Sequence, residues 1–245
     1  MFKEERTGKV LEYVRQKGFC TVEQLVNWFN YSPATIRRDL TYLAGLGLVK
    51  KSYGGVSSTL ARPMQVREHI NVHGKVKLCE YAAEMVHDGD VIFADGTTTT
   101  YFLGEKLLGK KGITVVTSNL KLAMFCGEHK INCIVTGGRV CDSTMLVGNY
   151  CTEIVEKIKY DIAFISPWYM DKKGNFEMWE GNWPHTMAAL KNADKKVVLC
   201  DVNKITDACK YAYGNVGIFD TVVFDEDFQS VIKENFPDVE IVVAK

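Results

Sequence analysis

The ten residues 31–40, YSPATIRRDL, constrain the fold more than any other stretch of the chain. Ser32 is a strong N-cap, because a serine hydroxyl accepts from an orphan backbone N–H in the first helical turn. Pro33 follows at the first helical position, where its missing N–H costs nothing. At 3.6 residues per turn, Ile36, Leu40 and Leu43 share one stripe that must face a core, while Thr35, Arg38 and Tyr42 fall opposite. Arg37 and Asp39 flank the stripe. The spacing therefore predicts a short, capped helix with one buried face and one face of hydroxyl, guanidinium and phenol groups. A guanidinium bonds a guanine edge or a phosphate through two parallel N–H donors, which an ammonium cannot do.

The neighbouring residues complete a unit around that helix. A first helix is expected over roughly residues 3–17, with Val10, Leu11 and Val14 as its apolar stripe and Gly18 as its stop. Thr21-Val22-Glu23-Gln24 is a capping box, a hydroxyl at the N-cap and an amide three residues later. It starts a second helix carrying Val22, Leu25, Val26 and Phe29, and Asn30-Tyr31 makes the turn into the third. After Gly45 and Gly47, LVKKSYGGVSS predicts a strand, a Gly54-Gly55 turn and a projecting arm with Lys50 and Lys51. Three helices and a basic β-wing make a winged helix-turn-helix, whose second motif helix enters the major groove of double-stranded DNA. A plain three-helix module with solvated arginines is the alternative, and two caps, a short turn and a wing together favour the DNA reader. The candidate DNA contacts are Ser32, Thr35, Arg37, Arg38, Tyr42, Lys50 and Lys51.

Residues 6–56 resemble the N-terminal domain of the DeoR family of bacterial regulators. The matching pieces are the Arg6 start, SPATIRRDL, and a wing ending in YGGV where the family commonly has HGGA. The resemblance implies a sequence-specific operator binder with Thr35, Arg37 and Arg38 at the DNA.

A chain of 245 residues suits a small module plus a larger one. The formal net charge of zero conceals an asymmetry: residues 1–56 hold 9 Lys+Arg against 5 Asp+Glu, and residues 57–245 hold 21 against 25. The basic end is the expected DNA reader, as phosphate attraction requires. No signal peptide is read at the start, and no apolar run reaches the roughly 18 residues needed to span a bilayer, so no membrane partner is expected. The eight cysteines show neither a CxxC pair nor zinc-finger spacing, which predicts reduced, mostly buried thiols in a cytoplasmic protein. The scattered histidines suggest no metal site, and no cofactor is expected. Residues 57–73, with Arg62-Pro63 and several charges, read as a linker.

From residue 74 helix and strand patterns alternate. Helices are expected near 74–87, 98–108, 119–127, 184–193 and 227–235, and strands at 91–94, 113–116, 132–135, 161–165, 196–200, 221–224 and 239–243. Short apolar strands alternating with helices predict an open, Rossmann-like, mostly parallel α/β sheet. Ligands of such sheets bind beyond the carboxyl ends of the strands. The first such loop is Asp95-Gly96-Thr97-Thr98-Thr99-Thr100. Its glycine admits close backbone approach, and its amides and hydroxyls at a helix start can hold a phosphate. Asp95 is a candidate acceptor for a sugar hydroxyl. A plain N-cap followed by threonines tolerated in a turn is an equal alternative at this point. Thr117-Ser118-Asn119, Gly137-Gly138-Arg139 and Asp201-Val202-Asn203-Lys204 follow later strands and complete a candidate polyol-phosphate pocket. Lys204 and Arg139 also fit ordinary surface roles.

In order, these pieces resemble the DeoR-type effector domain over most of residues 75–226, a domain similar in fold to ribose-5-phosphate isomerase and the glucosamine-6-phosphate deaminases. The resemblance implies a pocket for a phosphorylated sugar. Asp95 to Thr99 match the family's D-[SG]-[GS]-T-T, Thr117 to Asn119 its T-N-S, Gly137-Gly138 its GG, and Asp201 to Lys204 its D-x-x-K. The departures are specific. Asp95 falls one place late, leaving Ala94 at one position, and Thr-Ser-Asn leaves Asn119 where serine is common. In 166–187, SPWYMDKKGNFEMWEGNWPHTM, the family's acid and lysine would stand near Trp183 or Asn182 and near Thr186. This chain offers Trp168, Tyr169, Trp179 and Trp183 with Glu177 and Glu180 instead. Both an aromatic core-packing loop and an altered pocket with rings stacking on the ligand fit that segment.

The sequence thus predicts a winged helix-turn-helix at 1–56, a linker at 57–73 and an effector-sensing α/β domain at 74–245. The expected protein is a DNA-binding transcriptional regulator of a sugar-related operon, most simply a repressor, and not an enzyme; the alternative is retained isomerase-like activity. Expected partners are double-stranded operator DNA, a phosphorylated sugar effector at Asp95, Gly96, Thr97, Thr98, Thr99, Ser118, Asn119, Gly137, Gly138 and Lys204, and further copies of the chain as a dimer or tetramer.

Overall fold

The computed structural model describes residues 3–17, 19–45, 49–52, 55–58, 67–141, 144–209, 211–226, 232 and 234–244. The chain divides into two units, Met1–Ile70 and Asn71–Lys245.

The first unit contains α1 (Lys3–Lys17), β1 (Phe19–Thr21), α2 (Val22–Phe29), α3 (Pro33–Gly45), β2 (Val49–Ser52) and β3 (Gly55–Ser58). The caps read from the sequence are present. Thr21 Oγ1 accepts from Gln24 N at 3.1 Å while Thr21 N donates to Gln24 Oε1 at 2.9 Å. Asn30 closes α2 in the left-handed region at φ 53°, which asparagine tolerates better than most residues, with its N–H on Val26 O at 2.9 Å. Val10, Val14, Leu25, Ile36, Leu40 and Leu43 bury the expected stripes against Val49 and Val56 of the wing. Strand β1 is an addition to the sequence reading: three residues pair antiparallel with β3, giving the order β1-β3-β2. Gly18, Gly47 and Gly54 lie outside the described residues.

The second unit is built on one seven-stranded sheet. Its strands are β4 (Val91–Ala94), β5 (Thr114–Thr117), β6 (Asn132–Val135), β9 (Tyr160–Ile165), β12 (Ala193–Cys200), β15 (Thr221–Phe224) and β16 (Glu240–Val243). Between them lie a β7–β8 hairpin (Arg139–Cys141, Met145–Val147) and a small sheet of β10 (Tyr169–Asp171), β11 (Asn175–Glu177), β13 (Ile205–Thr206) and β14 (Gly214–Asn215). The large sheet runs β16-β15-β12-β9-β4-β5-β6, and every pair is parallel. Both faces are therefore covered, as a parallel sheet requires. Helices Val72–Glu84 and Leu120–Glu128 pack with Ile92, Val115 and Phe164 on one face. Helices Asn149–Val155 and Trp183–Lys191 pack on the other with Phe93, Ile165 and Phe224. Each such large apolar side chain stabilises by roughly 1.5–3 kcal/mol on burial.

That division of faces locates the site. From β4 the chain winds outward through β5 and β6, and from β9 it winds the opposite way through β12, β15 and β16. The order reverses between β4 and β9, and at that switch point the loops leave for opposite faces and open a crevice.

Two expectations are modified. The helix expected at 98–108 is two four-residue pieces, Thr98–Tyr101 and Leu103–Lys106. Threonines favour competing hydroxyl bonds over helix, and Phe102 N bonds Thr99 O at 3.2 Å, an i to i−3 closure that ends the first piece. Ordered structure also reaches into both ends of 57–73: β3 runs through Ser58, and Asn71 caps helix Val72–Glu84 by accepting from Gly74 N at 3.2 Å. The helix expected at 227–235 falls largely outside the described residues.

Candidate functional sites

Helix α3 presents Arg37, Arg38 and Tyr42 to solvent, with Thr35 half-buried. Ser32 Oγ accepts from Thr35 N at 3.2 Å and lies 2.9 Å from Thr35 Oγ1, so both hydroxyls first serve the cap. Asp39, which flanks the stripe, is fully buried. Arg6 of α1 clamps it with two bonds, Nε to Oδ2 at 2.5 Å and Nη2 to Oδ1 at 2.9 Å, and Asp39 pushes the Arg6 guanidinium further up. Buried charge is tolerated when paired in this bidentate way, and the pair fixes α3 against α1. Lys51 on β2 donates to Thr41 Oγ1, which in turn donates to Arg37 O at 2.7 Å. The wing and α3 are thus joined beside the exposed arginines. The Lys50 side chain lies outside the described residues.

In the second unit, Asp95 ends β4 and is fully buried. Its Oδ1 accepts from Thr97 N at 3.0 Å, Thr97 Oγ1 at 2.6 Å and Thr100 Oγ1 at 2.9 Å, and its Oδ2 from Ser166 N at 2.9 Å. Burial raises the Asp95 carboxyl above the usual range, while the bonds from Thr97, Ser166 and Thr100 oppose that rise. With its lone pairs committed inward, Asp95 shapes the loop and ties β4 to β9 across the switch point. This differs from the sugar-hydroxyl acceptor expected from sequence. Gly96 is likewise required by the protein itself, since a Cβ there would stand 2.6 Å from Met145 Cγ and 2.9 Å from Ser118 Oγ.

Lys204 does reach this loop. It closes a 3-10 turn after β12, Val202–Lys204, capped by Asp201. Its Nζ donates to Ser166 Oγ at 2.6 Å and to Thr99 Oγ1 at 3.0 Å, with Asp201 Oδ2 at 3.8 Å. Three adjacent strands, β12, β9 and β4, therefore deliver an ammonium, a serine and a threonine to one point. Thr97, Thr99 and Thr100 all use their hydroxyls in this network; Thr98 makes none of these bonds. Ser166 was missed from sequence, because a serine before Pro167 carries no motif of its own.

Ser118 and Asn119 follow β5. Asn119 is occupied by local structure: its Oδ1 caps helix Leu120–Glu128 through Lys121 N and Leu122 N, and its Nδ2 donates to Thr97 O at 2.9 Å. Asn119 thus caps that helix and also holds the β4 loop. Gly137 and Gly138 adopt φ of 70° and 104°, and a Cβ at Gly138 would stand 2.6 Å from Val147 O. Their glycine character is explained by backbone geometry and by the hairpin against them. In the aromatic segment, Trp168 stacks on Trp179 at 6.4 Å, whereas Trp183 packs against Phe176 at 5.9 Å and Tyr213 at 5.3 Å. Core packing thus accounts for Trp183.

Comparison with known proteins gives two family matches. A DeoR-like helix-turn-helix domain matches residues 6–60, and a DeoR C-terminal sensor domain matches residues 70–226. The uncharacterized HTH-type transcriptional regulator YgbI of Escherichia coli (strain K12) is 28% identical, over 100% of this chain and 99% of its own. The glycerol-3-phosphate regulon repressor of the same organism is 25% identical over 92% of each chain. The lactose phosphotransferase system repressor of Lactococcus lactis subsp. lactis is 26% identical over 96% of each. Among solved structures, ribose 5-phosphate isomerase A from Neisseria gonorrhoeae aligns at TM-score 0.41 with 15% identity, over 54% of this chain and 52% of that one.

Proposed function

Because the chain belongs to the DeoR family of transcriptional regulators, we propose that it represses an operon for sugar or related metabolite use under the control of a phosphorylated sugar. Relatives named as repressors of glycerol-3-phosphate and lactose phosphotransferase functions support the class of target. The observation that carries the sensing role is Lys204 Nζ held at Thr99 and Ser166 on the switch point of a parallel sheet. A phosphate at Gly96–Thr99 would take that ammonium, the Thr98 hydroxyl and first-turn amides that have no intrahelical partner. Thr35, Arg37, Arg38 and Tyr42 are the proposed operator contacts, with Lys51 on the wing. Two copies on symmetric half-sites fit such a reader, and the cytoplasm is where it acts. Among the described residues no helix is long and apolar enough to cross a membrane.

Sensing is favoured over turnover by the state of the acids. An isomerase needs a base able to take a proton from substrate, within reach of it. Asp95 is buried under four donors, and Glu180 stands in solvent. The test is selection of an operator from genomic fragments, followed by footprinting with and without a panel of sugar phosphates. A protected site whose occupancy changes with one sugar phosphate, and no product on prolonged incubation with that compound, is the expected result. Turnover of a panel member, or occupancy indifferent to all of them, would overturn this reading.

A further inference from the structure

Strand β6 is a bare edge of the large sheet. Among the described residues it pairs only with β5. A parallel sheet ordinarily has both faces of its strands covered. Here Ile134 is 39% and Val135 41% exposed, and successive residues of a strand point to opposite faces. Ile134 shares the face of Val116, its neighbour in register, and Val135 shares that of Cys133. Both faces are therefore open to water at this edge. At the other edge, β16, Ile241 is buried and Val242 and Val243 are half-buried. The β6 sequence Asn-Cys-Ile-Val also lacks charge and proline, two of the features with which proteins blunt a free edge.

The apolar surface continues beyond the strand. Thr136, Gly137 and Gly138 lead from β6 into the β7–β8 hairpin, where Val140 is 51% exposed. Helix Asn149–Val155 sits on that connection. Its Cys151 Sγ donates to Gly137 O at 2.7 Å, and a Cβ at Gly138 would stand 2.7 Å from the same sulfur. Cys151 and Val155 are buried, while Tyr150, 71% exposed, and Ile154, one turn on, share an outer flank. Single exposed apolar residues are ordinary on a monomer, but a contiguous group of them marks an interaction surface.

The partner that fits this edge is a second copy of the chain. Covering both faces of β6 takes a strand to continue the sheet and an apolar layer on each side of it. The same edge of another copy supplies all three. A twofold axis perpendicular to the sheet sets β6 antiparallel to its mate, so the outward N–H and C=O groups of each strand meet those of the other. That axis keeps like faces together. Ile134 and helix Asn149–Val155 of both copies then lie on one side and Val135 of both on the other, as an isologous contact requires. Charge agrees with self-pairing. Arg139 at the start of β7 and Glu153, beside Ile154, are exposed, and among the described residues no ion pair holds either. A surface with both signs beside its apolar residues is complementary to its own copy.

We propose that β6, β7 and helix Asn149–Val155 form the interface of a twofold dimer whose two large sheets become continuous through β6. Ile134, Val135, Val140, Tyr150 and Ile154 are its apolar core, and Arg139 of each copy pairs with Glu153 of the other. This goes beyond the repressor reading, which asks for two copies without saying where they meet, and it holds whatever the ligand is.

The experiment is size-exclusion chromatography with light scattering, and sedimentation over a range of concentrations, on the full chain without DNA or ligand. Wild type is compared with Ile134→Lys, Tyr150→Glu, Arg139→Glu, Glu153→Arg and the double reversal Arg139→Glu/Glu153→Arg, with thermal melting of each. Wild type is expected at the mass of a dimer or of a higher even multiple. Ile134→Lys, which sets a charge on the free edge, and Tyr150→Glu should each halve that mass. Each single reversal should weaken association at least about tenfold, and the double reversal should bring it back to within about threefold of wild type. Should Ile134→Lys fail to fold, Tyr150→Glu, changed at a largely exposed position, decides. A monomeric wild type leaves the edge to some other protein and overturns the dimer. A folded Ile134→Lys or Tyr150→Glu of unchanged mass overturns it as well. Single reversals without effect, or a double reversal weaker than both, overturn the arrangement about the twofold axis.

Discussion

His185 and Asp95 show how burial treats two titratable residues of one sheet edge. Asp95 receives four hydrogen bonds, so its buried carboxylate is offset by donors fixed in place. Burial alone acts on His185, and it lowers the pKa from 6.5 to about 4. The folded state therefore resists a proton that the unfolded chain accepts near 6.5. Stability is lost as pH falls from 6.5 toward 4, by about 3 kcal/mol in all, and no further below that. Urea unfolding of wild type and His185→Leu across this range isolates the effect, since other groups titrate alike in both. The wild-type curve should fall away from the variant's between those limits; parallel curves would show that His185 is not buried neutral. Neither role was legible in advance. A histidine in a segment of tryptophans has no motif, and Asp95 looked like a ligand because spacing cannot reveal that Ser166, 71 residues later, donates to it.

At the scale of elements, legibility followed the range of the interactions. Helix α3 was readable because its cap, stripe and exposed face are encoded within about a dozen residues, and Ile36, Leu40 and Leu43 are buried as their spacing requires. The Arg6–Asp39 clamp on the same helix was not, because it joins positions 33 apart. All seven strands of the large sheet were readable as short apolar runs. The small sheet was missed because its strands hold only two or three residues, and Met170↔Ile205 pairs distant segments. The prediction at this scale separates the two kinds of contact on the DNA-reading unit. Arg38→Ala should weaken operator binding by roughly 1–3 kcal/mol and relax base preference. Lys51→Ala should weaken specific and random DNA alike and lower the salt slope by about one. Gel shifts on both DNAs at several salt concentrations would distinguish them. Wild-type affinity and specificity in Arg38→Ala would remove α3 from the major groove.

For the whole molecule, the two chemistries lie in separate units, with the basic excess in the first 56 residues and the acidic excess in the rest. A ligand can shift DNA occupancy only through a difference in its affinity for two states of the chain. Signalling can then be removed without touching either fold or operator affinity, provided the ligand alone is lost. Thr98 is the position for this. Its three neighbours hold the loop through Asp95 and Lys204, whereas its own hydroxyl is outside that network. Thr98→Val should therefore keep the loop and weaken a phosphorylated ligand by roughly 1–3 kcal/mol, the usual cost of a lost bond to a charged group. Thr98→Asp should abolish binding, because it sets a carboxylate against the phosphate at a distance where low local dielectric magnifies repulsion. Both variants should hold the operator as wild type does and ignore the metabolite. Footprinting with and without the best metabolite, beside calorimetry, reads both quantities on one preparation. If Thr98→Asp still binds the ligand at full strength, the β4 loop is only a structural cap. The anionic group must then sit elsewhere along the carboxyl edge.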